Sequence, residues 1–533
     1  MKNYLAIFLV FCAFSMNAQS LQVSGNQSGI WDGEVHVIDN VTIPDGETLT
    51  ISAGTSVISD GYFEILVLGD LYALGEENSR ISFTVADTTG YSDYENAEAG
   101  AWRGITFSKP GKVQLEYCDF SYGKTQLDGD GGAMRFRYAA DVEISHCTFH
   151  HNTMRRKGGA IYAENSVLDI HDSEVHDNFG AGFQGTYCWG AGFQFLKCDI
   201  TMSNMVFHDN ECGAAYGGGM NIDSCNLVLD KAVFYNNYAT NAGGLGIQRC
   251  KGYTVKVSNM LAYNNTVIHY GGGLAMATSD PELNNLTIVN NYCGGGGGAG
   301  MQTAFDAAPT LNNCIFWGNH ALAIHNEKDT VEYYNGSQIW LWGSDCAPVF
   351  NNGDVQYGLD SIFGREYMTE EQYNNMIDAD PLFVDAENHD YQLLEDSPCV
   401  NTGTEDITGL FIPDTDLAGN PRIGGGRIDM GCYEKTFAGT DETDSNDISL
   451  SVYPNPLSDN AFCVVRLSER SEVTLRLLSL DGKEVYSENV GTLDAGEQHI
   501  PLDGMMKNIG KTNKIYLLII DNQQNRNCKK ILY

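Results

Sequence analysis

Basic residues are scarce in this chain: 31 Lys and Arg stand against 69 Asp and Glu, for a net charge of −38. Nucleic acids and anionic membranes are gathered by Lys and Arg that neutralise phosphates, so this charge balance argues against both partners. A solvated exported surface has this composition, and the same carboxylates are also a supply of Ca²⁺ ligands. Proline is low, with 12 in 533 residues, which sets aside Pro-rich linkers and collagen-like chains. Long apolar runs are missing as well. After Tyr4–Phe14 no stretch holds the roughly 18 apolar residues of a transmembrane helix. There is no CxxC, no HExxH helix, no phosphate-binding glycine loop and no nucleophile elbow. The most familiar zinc, nucleotide and acyl-transfer sites therefore have no local motif here.

What the chain does have begins with a short leader. Lys2, the apolar run Tyr4–Phe14 and the small residue at the end of Met16-Asn17-Ala18 read as a signal peptide over residues 1–18, with the mature chain starting at Gln19. Phe11 before Cys12 argues against a lipoprotein signal. Glycine is plentiful, at 59 residues.

Two short patterns alternate through the middle of the chain. One is a Gly-rich turn followed by an apolar residue, as in Gly131-Gly132-Ala133-Met134, Gly158-Gly159-Ala160-Ile161, Gly190-Ala191-Gly192-Phe193, Gly217-Gly218-Gly219-Met220 and Gly271-Gly272-Gly273-Leu274. The other is an apolar residue followed three positions later by Asn: Phe149/Asn152, Val175/Asn178, Phe207/Asn210, Phe234/Asn237, Ala262/Asn265, Ile288/Asn291 and Phe316/Asn319. These asparagines advance by 26, 32, 27, 28, 26 and 28 residues. Between the landmarks residues alternate, as in Met134-Arg135-Phe136-Arg137-Tyr138. Period two means strand, which excludes helical repeats, and about 27 residues is too short for a propeller blade. Each unit fits one coil of a parallel β-helix, with coils stacked about 4.8 Å apart and equivalent residues forming ladders. Gly takes the strained turn positions and Asn the left-handed one.

The cysteines keep the same register. Cys198, Cys225 and Cys250 fall five residues after Phe193, Met220 and Leu245, and Cys118, Cys147 and Cys314 each precede a Phe by two. Most read as buried, stacked thiols, although adjacent coils are close enough for one pair to bridge.

Upstream, Val41-Thr42-Ile43, Leu66-Val67-Leu68 and Trp102-Arg103-Gly104-Ile105-Thr106-Phe107 supply earlier strands. With its Gly-rich turns and Trp-Arg-Gly-Ile, this stretch resembles the first coils of bacterial right-handed parallel β-helix proteins of the pectate-lyase-like superfamily. Asp380-Pro381-Leu382-Phe383, Ser397-Pro398-Cys399, Asp416-Leu417-Ala418-Gly419-Asn420-Pro421-Arg422 and Ile428-Asp429-Met430-Gly431-Cys432-Tyr433-Glu434 look like the terminal coils of that group. The resemblance implies an all-β chain whose right-handed β-helix runs over residues 19–435.

After an acidic linker at 436–449, residues 450–533 read as a small β-sandwich. Tyr453-Pro454-Asn455-Pro456, the hairpin turn Leu480-Asp481-Gly482 and the closing strand Lys529-Lys530-Ile531 resemble the C-terminal sorting domain of type IX secretion substrates in Bacteroidetes. The stretch Asn508 to Asn513 departs from the tight Gly-x-Tyr entry usual there. The resemblance implies handling by the type IX secretion machinery, with the body released or held on the outer surface.

Chemistry on a β-helix sits on an outer strand face or in loops beside it. The outward positions after each apolar landmark form a polar stripe of Arg135, Arg137, Tyr162, Glu164, Gln194, Asn221, Asp223, Gln248 and Gln302. A polysaccharide lyase needs a base for the C5 proton and a cation for the enolate, which proposes Arg135 or Arg137 with Ca²⁺ near Glu164 and Asp223. The plain alternative is a surface ion pair between Arg137 and Glu164. Tyr162, Asn221 and Gln248 are candidate substrate contacts, joined by Trp189, Trp340 and Trp342 from two aromatic-rich insertions near 181–192 and 320–376, which also hold Tyr187, Tyr333 and Tyr334. Asp128 and Asp130 form a short candidate Ca²⁺ loop, Arg155-Arg156-Lys157 is the one dense basic cluster, and His150, His176 and His208 form a ladder that suits either turn packing or a metal. The expectation is a secreted or surface β-helix protein that binds or degrades polysaccharide, against a non-catalytic adhesin or structural solenoid.

Overall fold

In the computed structural model the described residues are 20–126, 129–181, 188–322, 337–423, 426–436, 448–453, 461–467, 470–479, 483–502, 505–507, 515–521 and 526–532. The leader 1–18, Asp128, Tyr187, Tyr333, Tyr334, most of the linker, the Pro454-Asn455-Pro456 and 480–482 turns and residues 508–513 lie outside them. The chain divides into two compact units, residues 1–436 and 437–533.

The first unit is a parallel solenoid. One strand ladder runs through Ile105–Ser108, Met134–Arg137, Ile161–Glu164, Phe193–Leu196, Met220–Asp223, Leu245–Gln248, Leu274–Ala277, Met301–Ala304 and Ile339–Trp342, every neighbour parallel. Val167–His176, Asp199–His208 and Asn226–Tyr235 each cover two further faces, bending at Asp172 (φ 51), Asn204 (φ 52) and Lys231 (φ 57). A second, seven-stranded sheet of short strands, from Thr153–Met154 to His320–Ala321, closes the coils.

The ladders form because parallel pairing puts like residues above like, and burial rewards repetition. Phe83, Phe120 and Phe149 stack face to face, with centroids 4.7 and 5.1 Å apart, as do Phe207 and Phe234 at 4.8 Å. Where this ladder shrinks to Val175, the ring of Phe193 enters edge-on between Phe149 (5.5 Å) and Phe207 (5.3 Å) and fills the gap. All of these rings are buried, and truncating one to Ala costs about 3–5 kcal/mol.

The asparagine ladder is buried too, and its role differs from the expected left-handed turn. The left-handed residue is one earlier: His151, Asp177, Asp209, Asn236, Asn264 and Asn290 have φ of 51–53°. From Asn152 to Asn291 each instead donates its amide to the next one's Oδ1 at 2.9–3.0 Å and to a carbonyl of the preceding coil, and Asn319 ends the row on Gln338 Oε1. Buried backbone polar groups at the corner are thereby satisfied. The described cysteines of this unit are buried and unbridged; Cys188 and Cys212 bring their sulfurs within 2.8 Å.

One expectation needs correction. Coil strands end at Tyr373–Asn374, and the described residues 380–423 and 426–434 are a strap rather than terminal coils. The strap runs back along the outer surface. Thr404 meets Asn313, Gly431 takes the Asn285 amide, Cys432 meets Thr287, and Thr415 accepts from Lys231 and Asn259. Its apolar residues Tyr391 and Cys432 pack with Leu261 and Val289, and Leu393, Cys399 and Met430 pack with Ile315.

The second unit holds two antiparallel sheets. Ile448–Tyr453, Phe462–Leu467 and Gly496–Pro501 form one, and Glu484–Leu493, Ser471–Ser479, Ile515–Asp521 and Arg526–Leu532 the other. Val465, Leu475, Leu477, Leu518 and Ile520 fill the core, giving a small β-sandwich. No helix among the described residues is long and apolar enough to cross a membrane.

Candidate functional site

The outward stripe sits on one solenoid face as two ladders two residues apart. The first reads Thr106, Arg135, Tyr162, Gln194, Asn221, Gly246, Ala275, Gln302 and Trp340. The second reads Ser108, Arg137, Glu164, Leu196, Asp223, Gln248, Ala277, Ala304 and Trp342. A third row, set by the residues before the Gly-rich turns, runs beside them through Asp130, Lys157, Trp189, Tyr216, Asn241, Tyr270 and Gly297.

That third row changes the status of several expected contacts. Tyr162 is 1% exposed and Asn221 0%, so neither is offered to a ligand. The Lys157 ammonium lies 5.3 Å from the Tyr162 ring, and the Tyr162 hydroxyl donates to Glu164 at 3.0 Å. Asn221 donates to Gln194 Oε1 at 2.8 Å. Trp189 stacks on Tyr216 at 5.2 Å, almost parallel, as part of the wall. Trp340 is buried, with its ring 3.9 Å from Phe363.

The proposed catalytic set does not converge. Arg137 Nε and Glu164 Oε1 are 2.8 Å apart, the surface pair weighed as the alternative, worth about 0–1 kcal/mol. Asp223 lies two rungs beyond Glu164, with Leu196 between them, and its carboxylate is held by Arg249. Glu164 and Asp223 therefore do not close on a shared Ca²⁺. Among the described residues no three His, Cys, Asp or Glu side chains are placed to hold a metal. Arg135 turns the other way, toward Thr106 Oγ1 (3.3 Å) and Glu64 (3.7 Å).

Arg135 and Asp130 line a groove of about 530 Å³ with Glu64, Glu95, Glu98, Arg103 and Thr106. Glu64 takes a hydrogen bond from Thr106 at 2.5 Å and pairs with Arg103 at 3.4 Å. Burial pushes the Asp130 carboxyl up, against the pull of Lys157, Arg156, Arg135 and Arg137, and its Oδ1 has no hydrogen-bond partner. One wall is the loop around residues 87–100, organised by Lys124. The Lys124 ammonium donates to the carbonyls of Asp93 (2.7 Å), Asn96 (2.8 Å) and Tyr91 (3.0 Å), and burial pulls its pKa down to about 8.

A second feature is a hollow. Each outward ladder drops to small residues for two successive coils, Gly246 and Ala275 in one and Ala277 and Ala304 in the other, offset by one coil, so the face sinks around the Ala275/Ala277 coil. A Cβ at Gly246 would lie 2.3 Å from Asn221 Oδ1, so any side chain there requires Asn221 to move. The resulting cleft of about 180 Å³ is walled by Tyr216, Tyr270, Trp342 and Phe305 and floored by Ala275, Ala277, Gln248 and Gln302. Tyr270 meets Trp342 edge to face at 5.3 Å, while Trp342 and Phe305 remain 45% and 60% exposed. Gln248 is 94% buried, and its Nε2 has no hydrogen-bond partner. An unpaired buried donor costs about 1–3 kcal/mol, which an acceptor on a ligand would relieve.

The histidine ladder is a packing device. His150, His176, His208, Tyr235 and Tyr263 stack in parallel at 4.7–5.2 Å, and Tyr391 of the strap continues the row. Each of His176 and His208 is bonded to the Asp that follows it.

Of the cleft residues, Gln248 and Trp342 were among the expected contacts; Tyr216, Tyr270, Phe305 and the alanines were not. A signal existed. Trp189-Gly190-Ala191-Gly192, Tyr216-Gly217-Gly218-Gly219 and Tyr270-Gly271-Gly272-Gly273 repeat an aromatic residue directly before the turn. Thr106 was equally legible, since Ile105 takes the register of Met134.

Residues 78–256 match the family described as right handed beta helix region, and residues 451–533 match the secretion system C-terminal sorting domain. No curated protein matches the chain significantly.

Proposed function

We propose that this exported protein, a right-handed parallel β-helix carrying a secretion system C-terminal sorting domain, binds polysaccharide on the outer face of its solenoid. The sorting domain implies secretion or display on the outer surface, where glycans are the abundant extended polymers. One observation supports the reading above the others: the hollow that brings exposed aromatic rings and two uncharged carboxamides, of Gln248 and Gln302, into one lining. A sugar ring offers apolar C–H faces to such rings and hydroxyl groups to such carboxamides. Because the coils repeat, the face continues past the hollow along the ladder direction, which suits a polymer better than a small metabolite.

Arg137, Glu164 and Asp223 are not carried forward as a catalytic set, since each is already engaged. The test is affinity electrophoresis of the full chain through gels holding individual polysaccharides. Retardation by at least one is expected, weakened about tenfold by Trp342→Ala. Migration unchanged in every polysaccharide would overturn the proposal in favour of a structural solenoid.

A further inference from the structure

We infer that the hollow selects an uncharged glycan segment, one without uronate, sulfate or free amino groups; this rests on the polysaccharide reading above. The ten residues lining it are Tyr216, Gln248, Tyr270, Gln302, Phe305 and Trp342 with three alanines and Met276, and not one is ionisable at neutral pH. In a chain of net charge −38 such a surface is unusual. Charges on neighbouring positions are engaged with one another outside the lining: Arg249 holds Asp223, and Lys251 pairs with Asp306 at 2.8 Å and faces Asp280 and Asp345.

Three physical terms then favour a neutral ring. A carboxylate or sulfate entering the hollow would shed water with no cation among its lining to replace it. The field of the whole chain repels polyanions from a distance. An ammonium would be attracted by that field yet find no carboxylate inside to pair with, so its desolvation is uncompensated. The hydroxyl or ring oxygen of a neutral sugar meets none of these costs, and the uncharged carboxamides of Gln248 and Gln302 are the polar side chains on the floor it would meet. The size agrees: about 180 Å³ is below the roughly 300–1,000 Å³ of a drug-sized pocket, so one ring of a longer chain occupies it. The groove at Arg103 and Arg135 stands in contrast, since four carboxylates and two guanidinium groups line it.

The experiment is calorimetric titration of the full chain with a neutral β-glucan, a mannan and a xylan, and in parallel with polygalacturonate, alginate and chitosan. Wild type, Trp342→Ala and Gln248→Ala are compared. A neutral polymer should bind, and each variant should weaken it about tenfold. The Tm of Gln248→Ala should be unchanged or slightly raised, because the substitution removes a buried donor that had no partner. That sign separates lost recognition from lost folding. Binding of an acidic or cationic polymer that either variant abolishes overturns the inference and leaves the polysaccharide reading standing. Neutral binding that neither variant affects overturns the assignment of the hollow. Binding to none of the six overturns both.

Discussion

Replacing Lys124 by Met should open the loop around residues 87–100 while leaving the coils intact. Lys124 is 1% exposed, and its ammonium makes three hydrogen bonds of 3.0 Å or less to loop carbonyls. Met donates nothing, so three loop carbonyls lose their donor; each orphaned acceptor costs about 1–3 kcal/mol, offset in part because no ammonium need then be buried. A net loss of about 3 kcal/mol in loop closure is expected, roughly a hundredfold shift toward the open loop. Hydrogen exchange and limited proteolysis read this directly: cleavage at 87–100 should accelerate strongly, with the Tm of the solenoid nearly unchanged. The pH dependence runs against intuition. The closed-loop pKa of about 8 is below that of an exposed lysine, so the open form binds more protons between about pH 8 and 10.5. Raising the pH through this window should therefore tighten the loop. Cleavage at the wild-type rate in Lys124→Met would refute the latch, and so would loosening of the wild-type loop between pH 8 and 10.

Other outcomes follow from the ladders and the tail. Asn210→Ala removes the acceptor of both the Asn178 backbone N–H and side-chain amide, so chemical denaturation should show a loss of about 2–4 kcal/mol. Burial raises the Asp354 carboxyl to about 7. The folded state then holds the extra proton between about pH 4 and 7, and the cost grows as pH climbs through that range. Asp354→Asn should accordingly stabilise by roughly 2–3 kcal/mol at pH 8 and little at pH 4, as read from urea midpoints. Deleting residues 451–533 should keep the β-helix inside the outer membrane of a host with type IX secretion, and immunoblots of cell and medium fractions check this.

The parts of the molecule legible in the sequence are those that stacking forces to repeat. Phe149, Phe207 and Phe234, the asparagines and the core cysteines recur because each must match the residue one coil below. The outward residues obey no such constraint. Tyr162 falls on the ladder its period predicts, yet the Lys157 ammonium from ahead of a glycine turn lies against its ring, and periodicity is silent about a segment that curls back. The cleft is illegible for the opposite reason: it is made by Gly246, Ala275, Ala277 and Ala304, residues that carry no chemistry of their own. Residues 380–423 and 426–434 carry strand-like motifs but follow the solenoid's flank, where burial against Ile315 and Leu261 replaces a repeat of their own.

That flank segment alters how the solenoid can come apart. A stack whose coils touch only their neighbours frays from an end, one rung at a time. Here Thr404, Gly431, Cys432 and Thr415 pin coils at Asn313, Asn285, Thr287 and Asn259 to a single strand of chain. The last rung cannot peel away until the seam across several rungs has torn. The end at which a repeat protein is ordinarily weakest is thus stitched into one cooperative block, a useful property for a protein that works outside the cell, beyond the reach of chaperones.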